Sequence, residues 1–179
     1  MRDKWGRMRE IPAVCHHTAP IGNDPSGHIV NTYAQISDLK PLIGQVIGTS
    51  DWLTVDQERI NQFAQVTGDD QWIHVDAKRA AAGMFGTTVA HGFLTLSLIP
   101  VFTRTSHRVE GTRMTVNYGL NRVRFPAPVP VNSRLRAHYK LISYEPIEGG
   151  VQLINEVSIE REGSQKPVCV AESVSRVYV

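Results

Sequence analysis

The stretch GFLTLSLIPVF at 92–102 constrains the fold more than any other part of the chain. Phe93, Leu94, Leu96, Leu98, Ile99, Val101 and Phe102 fall on almost every face of a helix, so the spacing predicts a helix buried all round. Pro100 is expected to disturb its last turn, because proline lacks an N–H and crowds the carbonyl four residues earlier. Such a helix needs a shell, and the chain after Gly111 supplies one. Leu135, Ala137, Tyr139 and Leu141 alternate with Arg134, Arg136, His138 and Lys140, which reads as an amphipathic strand with one wet face. Met114, Val116 and Tyr118, then VQLINEVSI and VCVAESVSRVYV, continue the alternation. EGG at 148–150 and EGSQKP at 162–167 mark the turns between strands. The predicted architecture is α+β, an antiparallel sheet wrapped around a central apolar helix.

Upstream, Thr54-Val55-Asp56-Gln57 has the form of a capping box. Ile60, Phe63, Ala64 and Thr67 follow at helical spacing, and Gly68 can take the left-handed conformation that ends a helix. Asp76 can cap a short helix AKRAAA stopped by Gly83, and SDLKPLIGQVIG at 37–48 reads as a helical turn followed by a strand. Residues 1–31 differ. They carry Pro12, Pro20 and Pro25, the pair His16–His17 and the turn-forming GNDPSG at 22–27 without sustained periodicity. They read as an extension, with one domain over 32–179 and no metal site on the histidine pair.

Composition excludes several functions. A formal net charge of +2 without a long basic run gives nucleic acid nothing to hold. The longest nearly apolar stretch, 93–102, is too short to cross a bilayer. Cys15 and Cys169 are the only cysteines, which is no disulfide framework and fits a reducing, cytoplasmic setting.

TGDDQWIH at 67–74 is the first stretch that could carry chemistry. A loop leaving a helix at Gly68 can fold back within a few residues, bringing a carboxylate and an imidazole onto one small ligand such as water. Histidine titrates near neutrality, which suits proton transfer, and Trp72 and Ile73 would keep the surroundings dry. Chemistry alone does not rank Asp69 against Asp70. The second stretch is GTTVAHGFLTLSL at 86–98, where His91 and Gly92 precede the apolar helix. Backbone N–H groups point out of a helix N-terminus, and glycine there lets a ligand approach closely enough for a developing oxyanion to be held. The third is NRVRFPAPVPV at 121–131, in which Arg122 and Arg124 share a strand face that could grip phosphates or lie solvated.

FAQVTGDDQWIHVD followed by FGTTVAHGFLTLSL resembles the MaoC-like dehydratases, the (R)-specific enoyl-CoA hydratases or hydratase 2 family, which have the hot-dog fold. The resemblance covers about residues 35 to 179. It ranks the aspartates, because the family's acid lies five residues before its histidine, which here is Asp69 ahead of His74. The family's Asn-Pro is Gln71-Trp72 here, which bears on acyl-chain choice more than on chemistry. A serine that some members place late in the central helix corresponds to Pro100 and carries over no role.

The resemblance implies reversible syn addition of water to a trans-2-enoyl-CoA, giving the (R)-3-hydroxyacyl-CoA. Asp69 and His74 would share the proton transfers and the Gly92 N–H would hold the thioester oxygen. Trp72, His91 and Phe93 would contact substrate, with Arg122 or Arg124 near the coenzyme A phosphates. No metal or further cofactor is implied, coenzyme A being part of the substrate, and a homodimer is expected. The alternatives are a 3-hydroxyacyl-carrier-protein dehydratase, a hot-dog thioesterase, and a non-catalytic acyl-thioester-binding module.

Overall fold

The computed structural model describes residues 21–23 and 29–179, so Cys15, the His16–His17 pair and most of the 22–27 turn lie outside the described residues. Strands β1 (Ile21–Asn23), β2 (Ile29–Tyr33), β3 (Val46–Thr49) and β4 (Leu53–Val55) come first, with a 3₁₀ turn over Ile36–Leu42. Helices α1 (Gln57–Thr67), α2 (Trp72–Val75), α3 (Ala77–Ala81), α4 (Gly92–Ser97) and α5 (Ile99–Ser106) follow. Strands β5 (His107–Val109), β6 (Met114–Arg124), β7 (Ser133–Ile147), β8 (Gly150–Arg161) and β9 (Cys169–Tyr178) complete the chain.

The main sheet has six strands in the order β3-β7-β8-β9-β6, with β4 also paired to β7, and every pairing in it is antiparallel. Alternation in β7 and β8 puts Leu135, Ala137, Tyr139, Leu141, Val157 and Ile159 on the concave face at 2% exposure or less. Against that face lie Leu94 of α4, Leu98 at the junction, and Ile99 and Phe102 of α5, forming one core. A smaller sheet, β1-β2-β5, contains a parallel pair, β2 with β5, that strand alternation after Gly111 did not anticipate. Strand β2 spans residue 31, where the extension was taken to end.

The central helix departs from expectation in two ways. It is not continuous: α4 ends at Ser97 and α5 restarts at Ile99, with Pro100 in the first turn of the new helix, where a missing N–H costs nothing. Nor is it buried all round, since Phe93 is 68% exposed. The break lets each short helix aim its own apolar stripe at the sheet. Helix α1 begins two residues later than the capping box implied. Its N-cap is Asp56, whose Oδ1 accepts from the Arg59 N–H at 2.9 Å, and this frees Gln57 for another task. Its end is as read, with Gly68 at φ 74°. None of the helices among the described residues is long and apolar enough to cross a membrane.

Candidate active site

Helix α1 stops at Gly68, and the next residues form a short exposed loop carrying Asp69, whose side chain is 57% exposed. Five residues after Asp69, α2 turns His74 inward to 7% exposure. The imidazole is oriented by the extended segment before α4. Its Nδ1–H donates to the Val89 carbonyl at 2.6 Å, because a carbonyl oxygen only accepts, and this leaves the Nε2 lone pair as the reactive position. Val89 is itself fixed, donating its N–H to the Ile73 carbonyl at 3.0 Å. The neighbouring segment is stitched to the proline-rich stretch, Ala90 N–H to Val129 O at 2.8 Å and Val131 N–H to Thr88 O at 2.9 Å.

Burial lowers the His74 pKa below its ordinary 6.5. The Val89 hydrogen bond and the Asp69 charge oppose that shift, while His91 adds to it. The net direction favours neutral imidazole, a proton acceptor at physiological pH. Asp69, His74 and His91 each present one atom capable of holding a metal, all within 4.8 Å of one another. His91 Nε2–H donates to the Asp69 main-chain carbonyl at 2.8 Å, so the ready donors are His74 Nε2 and the Asp69 carboxylate. Such a pair suits a shared water or proton.

A cavity of about 310 Å³ opens beside His74, lined by Ile73, Phe85, Gly92, Thr95, Phe125 and the proline-rich stretch. Gly92 is the first residue of α4, and its N–H lies outside the helical ladder. With only six residues in α4, any charge stabilisation there falls on that N–H itself rather than on a long helix dipole. The absence of a side chain has a further reason: a Cβ at Gly92 would meet the Phe125 ring at 2.9 Å.

The other sequence candidates sit elsewhere. Trp72 packs toward α3, with the Arg79 guanidinium 4.5 Å above its ring. Phe93 points outward and meets Phe125 edge-on at 6.0 Å. Arg122 is ion-paired to Glu172, its cross-strand partner, and Arg124 donates to the Val123 carbonyl at 2.7 Å. None of the four lines the cavity, Asp69 stands outside its lining beside His74, and His91 lies behind His74 at 3% exposure.

Sequence reasoning missed Gln57. Released from capping, its Nε2 donates to the His74 carbonyl at 2.8 Å, and its Oε1 accepts from Thr88 Oγ1–H at 2.5 Å. One side chain therefore ties α1, α2 and the segment before α4 together. A polar residue at the first position after an aspartate cap was the available signal, but it names no partner.

Comparison with known proteins now bears on this geometry. The family model described as "MaoC like domain" matches residues 38–159, across both motifs and most of the main sheet. The chain belongs to the MaoC-like dehydratase family. A curated relative from Mycobacterium tuberculosis, 3-hydroxyacyl-thioester dehydratase Z, is 52% identical over 148 residues, 82% of this chain and 98% of that protein. Nodulation protein N of Rhizobium meliloti is 40% identical over 143 residues, 78% of this chain and 89% of the relative. The crystal structure of the MaoC-like dehydratase from Rhodospirillum rubrum superposes with a TM-score of 0.66 at 18% identity, covering 80% of this chain and 96% of the other. The fold of this MaoC-like protein is the hot-dog fold, and the protein is a hydro-lyase of that family.

Proposed function

We propose that this MaoC-like protein dehydrates an (R)-3-hydroxyacyl thioester to the trans-2-enoyl thioester, reversibly. The observation that carries the reading is the 52% identity to a 3-hydroxyacyl-thioester dehydratase along nearly all of that relative. It favours the dehydratase, held as the alternative from the sequence, over the enoyl-CoA hydratase, although both name one equilibrium.

In this reading Asp69 and His74 are the catalytic pair. His74 Nε2 takes a proton from C2 of the hydroxyacyl thioester. The C3–O bond breaks, and the hydroxyl leaves as water with a proton supplied from the pair. Because the elimination is syn, both proton positions face the same side of the substrate, and the pair returns to its starting state. The Gly92 N–H would bind the thioester oxygen as charge builds on it. One such donor is worth roughly 3–4 kcal/mol where measured in other enzymes. The acyl chain would occupy the cavity between Phe85, Thr95 and Val129.

A homodimer in the cytoplasm completes the proposal. Strand β6 is the edge of the main sheet, and its exposed Met114, Tyr118 and Leu120 lie along that open edge, which suits pairing with a second copy. The cytoplasmic setting rests on the cysteine content alone.

The test supplies (R)- and (S)-3-hydroxybutyryl groups on coenzyme A and on a phosphopantetheine carrier protein, and follows growth of the enoyl-thioester absorbance. Turnover of the (R) isomer alone supports the reading, and the faster carrier identifies the physiological thioester. Release of free thiol without enoyl formation would instead make the protein a thioesterase. Binding without turnover of any thioester would make it a binding module.

A further inference from the structure

His91 is almost wholly buried, yet it does not line the cavity. Its ring touches both halves of the proposed pair. Nε2–H donates to the Asp69 main-chain carbonyl at 2.8 Å, and the ring stacks on that of His74 with centroids 3.7 Å apart and planes 25° from parallel. Phe63 of α1 closes the far side at 5.0 Å. With the proton on Nε2, the Nδ1 lone pair is left buried, without a hydrogen-bond partner among the described residues.

The two members of the pair depend on His91 unequally. His74 has other anchors in Val89 and Gln57, which fix its ring nitrogen and its main chain. Asp69 has few. It follows a left-handed glycine, its side chain is mostly in solvent, and its own N–H reaches Thr67 Oγ1 only at 3.4 Å. The short bond to His91 is what ties its loop to the buried part of the site.

We infer that His91 is a positioning residue: it holds the Asp69 loop by the main-chain carbonyl and backs the His74 ring, so that carboxyl and imidazole meet at a working separation. It stands outside the cavity that would hold the substrate and acts through the other two. A buried donor that serves a backbone carbonyl is a large commitment for a residue that could otherwise be any small cap. A drift of about 1 Å in a reacting group can cost on the order of a hundredfold in rate, so a tether of this kind has catalytic weight.

The inference rests on the proposed dehydratase reading, and two substitutions separate its parts. His91→Phe keeps a flat ring against His74 and loses the donor, whereas His91→Gln keeps an N–H donor for the Asp69 carbonyl. The expected result is kcat down roughly 10- to 100-fold in His91→Phe with KM within about threefold, and His91→Gln recovering to within roughly tenfold of wild type. In an Asp69→Asn background, His91→Phe should cost less than about threefold further, because the carboxylate it positions is already gone. A residue that merely supports the fold would give multiplicative losses in that background and no rescue by glutamine. Wild-type kcat in His91→Phe, a glutamine variant no better than phenylalanine, or full multiplicative loss would each overturn the inference. A readout independent of turnover is the imidazole ¹⁵N spectrum of the full chain. A proton on His91 Nε2 is expected, and one on Nδ1 would overturn the inference. Failure of the wild type to turn over any thioester would count against the dehydratase reading, while the spectrum would still decide the His91–Asp69 link.

Discussion

Lowering pH should weaken the fold through His107, a residue far from the proposed chemistry. Its Nδ1 sits 2.7 Å from Ser106 Oγ, and its ring lies edge-on to Tyr139 with centroids 5.1 Å apart. Gly48 presses close enough that a Cβ there would meet His107 Nδ1 at 3.0 Å. Burial pushes the imidazole down from 6.5 to about 4. A depressed folded-state pKa means the unfolded chain takes up the proton first. The associated stability is therefore complete above about 6.5, falls as pH drops toward 4, and changes no further below that. Between pH 8 and pH 5 these values give a loss of about 2 kcal/mol. Part of the residue still reaches solvent, which makes that figure an upper bound. His74 titrates in the same direction, so the comparison must isolate His107. Urea unfolding of wild type and His107→Gln at pH 8 and pH 5 does so. The wild type should lose about 1–2 kcal/mol more than the variant over that interval. Equal losses in the two proteins would refute the account of His107 as a buried neutral imidazole.

Two further perturbations follow from local geometry. Asp56→Ala removes the oxygen that accepts the Arg59 N–H and should lower stability by about 1 kcal/mol in the same urea assay, whereas Thr54→Ala, outside the cap, should cost little. Gly92→Ala keeps the N–H but drives a Cβ into the Phe125 ring at 2.9 Å, and the ring, 39% exposed, must shift to make room. Thermal stability should change little while dehydration slows several-fold, and adding Phe125→Ala should return most of the rate; no rate loss in the single variant would show that the Phe125 ring is irrelevant to the site.

What the sequence made legible was local. The strict alternation in β7 predicted its buried face because strand period is fixed by backbone geometry, and Gly68 marked the end of α1 because only a left-handed residue fits there. Resemblance then set Asp69 and His74 five residues apart on the turn after that helix, and the structure brings them within 4.8 Å. What stayed hidden depends on residues distant in sequence. The carbonyl that orients His74 belongs to Val89, and any residue would offer one there. Phe125 fills the space above Gly92 from beyond strand β6, and β2 pairs with β5 across 76 residues, as in Thr32 opposite Arg108. The split between α4 and α5 was half legible. Pro100 gave warning of a break, but a proline marks equally the end of one helix and the first turn of the next.

The central claim is that Asp69 and His74 together move the protons of the reaction. It is tested most directly by the rate of enoyl-thioester formation from an (R)-3-hydroxyacyl thioester in wild type, Asp69→Asn and His74→Gln, each checked for an unchanged Tm. The account predicts that both variants fall by about a hundredfold or more, the scale of lost general acid–base catalysis. Either variant turning over within a few-fold of the wild type would contradict it.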